Sequence, residues 1–191
     1  MLPQVLGKVY NFEFLFLIMC KLCEQKPVYE FTNKRKVCKT CFLRWFEKKF
    51  LYTIRKFDMF KIGDKVGHNK KDVVLEYLLE MYAGKGRIEL VHKGGNKIAL
   101  ADTNDVVAFE VVEEVINGKF DLKNKQPVEG KTIKPLILFL DKEVELYVKL
   151  RGLKSKKVKT QSSKLGKFVD GLKVKHPELP HAVVQSVLKL K

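Results

Sequence analysis

Four cysteines carry the clearest chemistry in this chain. They stand as Cys20-Lys-Leu-Cys23 and Cys38-Lys-Thr-Cys41, and the 191-residue sequence has only these 4. Each Cys-x-x-Cys turn is tight enough to offer both thiolates to one ion, and two such turns complete a tetrahedral four-sulfur site. The spacing is that of zinc ribbons and related knuckles, so Cys20, Cys23, Cys38 and Cys41 are expected to hold one Zn2+. Two disulfides, or four thiols that bind nothing, are the alternatives. With no cysteine left over for catalysis, the site reads as structural and closed.

The elements that must position this site follow from hydrophobic periodicity. Short strands are expected around Val28-Tyr-Glu-Phe31, inside the knuckle. A helix is expected over about 41–57, where Phe42, Phe46, Phe50, Ile54 and Phe57 share one face. Arg44, Lys48 and Arg55 fall on the opposite side, with Trp45, Tyr52, Lys49 and Lys56 beside them. Such a helix docks its apolar face on a core and leaves a basic, aromatic-flanked face for phosphates; an ordinary solvated lysine-rich face is the bland alternative.

Charge supports the phosphate reading. The formal net charge is +16 and the isoelectric point about 9.6. Residues 34–71 carry 13 Lys/Arg against 3 acids, and residues 149–175 carry 10 against 1. Between them, residues 72–148 are mildly acidic, 10 against 14. Two basic blocks around an acidic middle point to a polyanionic partner, most simply nucleic acid. Cysteine pairs without further cysteines suggest a reducing, cytoplasmic setting. The apolar run Phe12-Glu-Phe-Leu-Phe-Leu-Ile-Met19 is too short to span a bilayer and lacks a basic leader and a cleavage site, so no membrane partner is expected. Residues 1–18 read as an N-terminal extension outside the core module, or as an added strand.

Further along, a short strand is expected before Val66, a helix over Lys71–Tyr82 and a strand over Arg87–His92. A Gly94-Gly95-Asn96 turn leads into a strand over Lys97–Ala101. Thr103-Asn104-Asp105 should cap a helix to about Asn117. A strand at Ile133–Ile137 and a helix from Asp141 to Leu150, stopped by Gly152, come next. After a lysine-rich linker, two helices at about 163–175 and 180–189 are separated at His176-Pro177. Strands alternating with helices imply an α/β fold with a parallel sheet.

Several stretches together resemble one family. Met19-Cys-Lys-Leu-Cys23, Val37-Cys-Lys-Thr-Cys41-Phe-Leu-Arg-Trp-Phe-Glu-Lys-Lys, Thr53-Ile-Arg-Lys56 and Ile62-Gly-Asp-Lys-Val66 occur in the order seen in tRNA 2-thiouridine synthetases and cytoplasmic tRNA 2-thiolation proteins. These belong to the PP-loop ATP pyrophosphatase superfamily and carry an N-terminal zinc finger. Ile133-Lys-Pro-Leu136, Asp141–Gly152 and Val169–Pro177 extend the resemblance over most of residues 19–190. It implies a truncated, Rossmann-like PP-loop domain of the adenine nucleotide alpha hydrolase type. The expected organisation is an extension (1–18), a zinc knuckle with basic helix (19–57), a truncated PP-loop-like domain (58–153), and a basic linker with C-terminal helices (154–191).

The departures from the family pattern bear on chemistry. Active relatives place a Ser-Gly-Gly-x-Asp-Ser loop where this chain has Val66-Gly-His-Asn-Lys-Lys-Asp72, so larger side chains stand where phosphate must approach backbone, and ATP binding is doubtful. Lys71, Asp72 and Asp105 are the remaining nucleotide-binding candidates, with a plain helix N-terminal carboxylate the alternative for Asp105. His68 reads as a surface loop residue. A long catalytic insertion is reduced to a short connection near residues 83–97, and no cysteine follows Cys41. No iron–sulfur cluster is therefore expected, and no catalytic residue is assigned.

The resemblance thus implies a tRNA-binding zinc protein related to tRNA 2-thiolation enzymes, with impaired or lost ATP-dependent sulfur transfer. Its RNA contacts would be Arg44, Lys48, Lys49, Arg55 and Lys56, then Lys154, Lys156, Lys157 and Lys159. The alternatives are an active thiolase that adenylates uridine with a site completed by a partner chain, and an unrelated zinc-ribbon adaptor. A shortened sheet leaves exposed edges, which suits a homodimer or a catalytic partner subunit.

Overall fold

The structure is a computed structural model that describes residues 19–92, 94–154 and 164–190. It divides into two compact units, one ending at Trp45 and one beginning at Phe46.

The first unit is built on an antiparallel hairpin of β1 (Pro27–Glu30) and β2 (Lys36–Cys38), in which Tyr29 faces Val37 and Glu30 faces Lys36. β2 runs straight into α1 (Lys39–Lys56), whose first turn holds Cys41. The helix has the amphipathic pattern expected from its sequence. Phe42, Phe46, Phe50 and Ile54 are buried, while Arg44, Lys48, Arg55 and Lys56 are exposed.

The second unit has a five-stranded sheet in the order β4-β3-β5-β7-β6. Its strands are β3 (Asp64–His68), β4 (Ile88–Val91), β5 (Lys97–Ala99), β6 (Val128–Glu129) and β7 (Thr132–Ile133). The pairs β3–β4, β3–β5 and β5–β7 are parallel, and β6 closes one edge antiparallel to β7. This is the parallel-dominated α/β sheet that the alternation of strands and helices implies.

Each crossover helix shows why it forms. In α2 (Val73–Ala83) the buried set Val74, Leu75, Leu78 and Leu79 follows helical spacing. α3 (Asn104–Ile116) is capped by Thr103, whose hydroxyl accepts a hydrogen bond from the Val106 amide. α4 (Asp141–Arg151) starts one residue past its cap: Leu140 is at the N-cap, and the Glu143 carboxylate reaches back to the Leu140 amide at 3.0 Å. Gly152 ends it in the left-handed region, φ 69°, a conformation that strains side chains with a Cβ. α5 (Lys164–Lys175) and α6 (Leu179–Lys189) complete the chain.

Val107, Ala108 and Val111 of α3 pack with Ile137 and with Val184 and Val187 of α6. A second focus stacks Phe46 on Tyr147 at 4.1 Å between ring centres and sets it 4.5 Å from Phe139. The strand expected over Ile133–Ile137 is only Thr132–Ile133. Pro135 supplies no N–H to a ladder, yet Leu136 and Ile137 are fully buried without it.

Candidate metal centre and basic helix

The hairpin and the start of α1 bring the four cysteines together. Cys20 opens a tight turn in which the amides of Cys23 and Glu24 both donate to the Cys20 carbonyl, and Glu24 takes a left-handed φ of 58°. Cys38 ends β2 and Cys41 lies one helical turn on. The Cys23 sulfur is 3.6 Å from that of Cys20, 3.3 Å from Cys38 and 3.6 Å from Cys41. All four sulfurs lie within 4.8 Å of one another, and all four are free thiols, so neither disulfide of the alternative reading is present. A single ion with metal–sulfur bonds of about 2.3 Å sets tetrahedral sulfurs roughly 3.8 Å apart, which these positions fit closely.

The thiols feel unequal environments. Burial raises Cys20, but N–H donors on Cys38, Leu22 and Cys23 outweigh it and bring the thiol down to about 6. Burial and the neighbouring sulfurs push Cys41 up to about 12. Four thiolates gathered this closely would repel one another, and a bound cation would offset that charge.

The basic helix presents Arg44, Lys48, Arg55 and Lys56 to solvent. The Lys56 ammonium is 5.8 Å from the Tyr52 ring, and Tyr52 is itself 51% exposed. Lys49 is placed differently. Its ammonium pairs with the Glu143 carboxylate at 2.7 Å and lies 4.7 Å from the centre of the Phe139 ring. Lys154 is exposed just after α4, whereas Lys156, Lys157 and Lys159 lie outside the described residues.

The nucleotide candidates surround the carboxyl ends of β3 and β5, where chain direction switches sides and doubly wound folds bind ligands. His68 ends β3, and the loop to α2 closes on itself. The Asn69 side chain accepts from the Lys71 amide at 3.0 Å, and the Asn69 carbonyl accepts from the Asp72 amide at 3.0 Å. Both amides are therefore paired within the loop itself. Burial, then the nearby Asp102 carboxylate, raise the Asp72 carboxyl above its ordinary range, so this corner is already crowded with negative charge. Lys71 is exposed. Asp105 is committed elsewhere: one oxygen accepts from the Asp141 amide at 2.8 Å, and the other lies 3.1 Å from the Lys173 ammonium.

The crevice also contains residues that sequence reasoning missed. Lys134 reaches the Asp102 carboxylate at 2.8 Å and the Asn124 carbonyl at 2.8 Å. His68 is not a surface residue. Its side chain is buried, Nε2 is 3.6 Å from a Glu76 oxygen, and neither ring nitrogen has a hydrogen-bond partner. Asn104 is fully buried and its carboxamide is likewise unpartnered. The alternation around His68 carried no signal of this, because the Glu76 carboxylate beside its ring belongs to the next element, α2.

No protein-family model matches the chain, and no curated protein matches it in sequence. Among solved structures it is similar to the U34-tRNA thiolase NcsA from Methanococcus maripaludis with its [4Fe-4S] cluster, at 19% identity and a TM-score of 0.68. The match covers 91% of this chain and 87% of that one. This corrects one expectation. An iron–sulfur cluster was not expected here, yet a thiolase of this fold is described with one, and four gathered thiolates are a donor set that clusters as well as zinc accept. No helix among the described residues is long and apolar enough to cross a membrane. The chain has the mixed α/β, parallel-dominated fold of a tRNA thiolase, with a four-cysteine cluster near its N-terminal end.

Proposed function

We propose that this protein binds tRNA as a relative of the tRNA uridine 2-thiolation enzymes and does not by itself carry out ATP-dependent sulfur transfer. The observation that carries the reading is the exposed cationic side of α1, with Arg44, Lys48, Arg55 and Lys56 on the helix that begins inside the thiolate cluster. The likeness in fold to a tRNA thiolase supports the choice of tRNA as the polyanion. The loss of chemistry is supported by the self-bonded amides of the β3–α2 loop, the Asp72 carboxyl beside them, and the lack of any cysteine after Cys41. The thiolate centre then fixes the geometry of the RNA-gripping element. When loaded, its metal supplies the cation that binds the hairpin to the helix. A reducing, cytoplasmic setting suits four free thiols.

The test is tRNA binding as a function of salt, joined to pyrophosphate release. Each phosphate neutralised contributes about −0.7 to −0.9 to the slope of log K against log salt, so four cations give a slope near −3 and a loss of roughly 50-fold between 50 and 200 mM salt. Affinity that stays flat over that range overturns the reading. Pyrophosphate release from ATP is expected to be absent with and without tRNA. A second reading, a thiolase completed by a partner chain, is favoured by the buried unpartnered groups of His68 and Asn104 at the crevice. Release of pyrophosphate stimulated by tRNA would select it.

A further inference from the structure

We propose that the aromatic side of the knuckle takes an unpaired base of the bound RNA, stacked on the Phe31–Trp45 pair beside Arg35. This rests on the tRNA-binding reading and extends it from phosphate contacts to base contacts. Within the unit that ends at Trp45, Phe31 is the hub of a small aromatic cluster. Its ring meets Tyr29 edge-on at 4.9 Å and 88°, and Trp45 at 4.6 Å and 74°. Phe42, 5.6 Å from Trp45, is fully buried and supplies the apolar floor. Phe31 and Trp45 are only half-buried. Rings whose sole task is to fill a core are driven further from water than this.

Arg35 adds the second observation. Its guanidinium lies over the Phe31 ring at 4.5 Å, and its Nε is buried with no hydrogen-bond partner. A buried N–H on a cation is costly to leave unpaired. A guanidinium plane lying against an aromatic ring matches how unpaired bases are held: the π-face stacks, and the outer N–H groups of the guanidinium reach a base edge or a phosphate. Charge selects the class of occupant. Residues 19–45 carry seven Lys/Arg against two carboxylates. One of these, Glu30, already lies 3.8 Å from the Lys34 ammonium and 3.7 Å from that of Lys36. Half-exposed aromatic rings beside a guanidinium on a cationic surface are the elements that single-stranded nucleic acid uses, with stacking supplied by any base.

The protein carries its own probe, since Trp45 is the only tryptophan. The full-length, metal-loaded chain is titrated with a single-stranded RNA oligonucleotide and with a blunt RNA duplex of equal length. The single strand is expected to quench Trp45 emission, and the duplex, whose bases are already stacked, is not. Phe31→Ala is expected to weaken single-strand binding roughly 5- to 100-fold, the usual range for one stacked base, while duplex binding changes less than about twofold. Phe31→Leu keeps apolar bulk and Arg35→Lys keeps charge, so they read the same preference if Phe31→Ala does not fold; both are expected to reduce it. If RNA binds while Trp45 emission is unmoved, or if both milder variants keep the preference for single strands, the base platform is overturned and the phosphate contacts stand. If neither RNA binds, the tRNA-binding reading fails as well.

Discussion

Lys49 shows how one long-range partner changes the meaning of a residue. On a helical wheel it borders the basic stripe, but its ammonium is desolvated and paired with Glu143, a buried carboxylate 94 positions away in sequence. Burial lowers the Lys49 pKa and the Glu143 charge opposes that fall. Removing one partner from such a pair leaves an uncompensated charge, so Lys49→Met is expected to cost about 3 kcal/mol in urea unfolding, whereas Lys49→Met with Glu143→Gln, which removes the charge and keeps an acceptor for the Leu140 amide, recovers part of it. The double variant should retain the salt slope of tRNA binding, which separates Lys49 from Arg44, Lys48, Arg55 and Lys56. Asp72 gives a pH signature. Its folded pKa is raised by burial and by Asp102, so the native state holds that proton more tightly than the unfolded chain does. Its charged form therefore subtracts stability as pH rises above the ordinary aspartate value of 3.8. Asp72→Asn should raise the urea midpoint at about pH 7 and leave it nearly unchanged at about pH 3.5, where the wild-type group is also neutral. The four cysteines were legible because their chemistry is encoded in local spacing. The fates of Lys49 and Asp105 were not, because each is decided by an element distant in sequence, and that of His68 was not, because it depends on how the next helix packs.

Elements were easier to read than residues. The stripe of α1, the Thr103 cap and the Gly152 stop are all local signals, and the chain obeys each of them. Thr103 also serves an unforeseen purpose: its hydroxyl donates to Asp141, in the first turn of α4, so one residue organises two helix starts. Thr103→Ala is expected to lower stability by about 1–2 kcal/mol, the upper range for a lost cap, with the change followed by thermal or urea unfolding. Where the reading fell short, the missing information was again tertiary. The Gly94-Gly95-Asn96 turn was identified, but not the reason for its second glycine. A Cβ on Gly95 would lie 2.6 Å from the Lys65 carbonyl oxygen in β3, while the Asn96 side chain accepts from the Lys65 amide and donates to Asp64. β6 was not anticipated and β7 only as part of a longer strand, since two-residue strands carry no periodicity to detect.

At the scale of the molecule, the four gathered thiols belong to one compact unit and the five-stranded sheet to the other. The described residues of the unit that ends at Trp45 form a hairpin, the first turns of α1 and four gathered thiols, so a bound metal is expected to contribute much of that unit's folding free energy. The unit from Phe46 has its own core, with Phe46, Phe50 and Ile54 of α1 buried within it. Chelation under reducing conditions should therefore release the hairpin and the first turns of α1 while the later turns and the sheet persist. Hydrogen exchange checks this directly. Amides over 20–41 should lose protection when metal is removed, those of β3 and β5 should keep it, and the boundary should fall within α1. Cys23→Ser should reproduce the pattern without a chelator. Loss of protection throughout would mean that the metal supports the whole chain as one cooperative body. Because the cationic face begins at Arg44 and continues into the persistent half of α1, tRNA affinity should fall on chelation without vanishing. Its salt slope should become shallower by about the contribution of the contacts released with the knuckle, near one per phosphate.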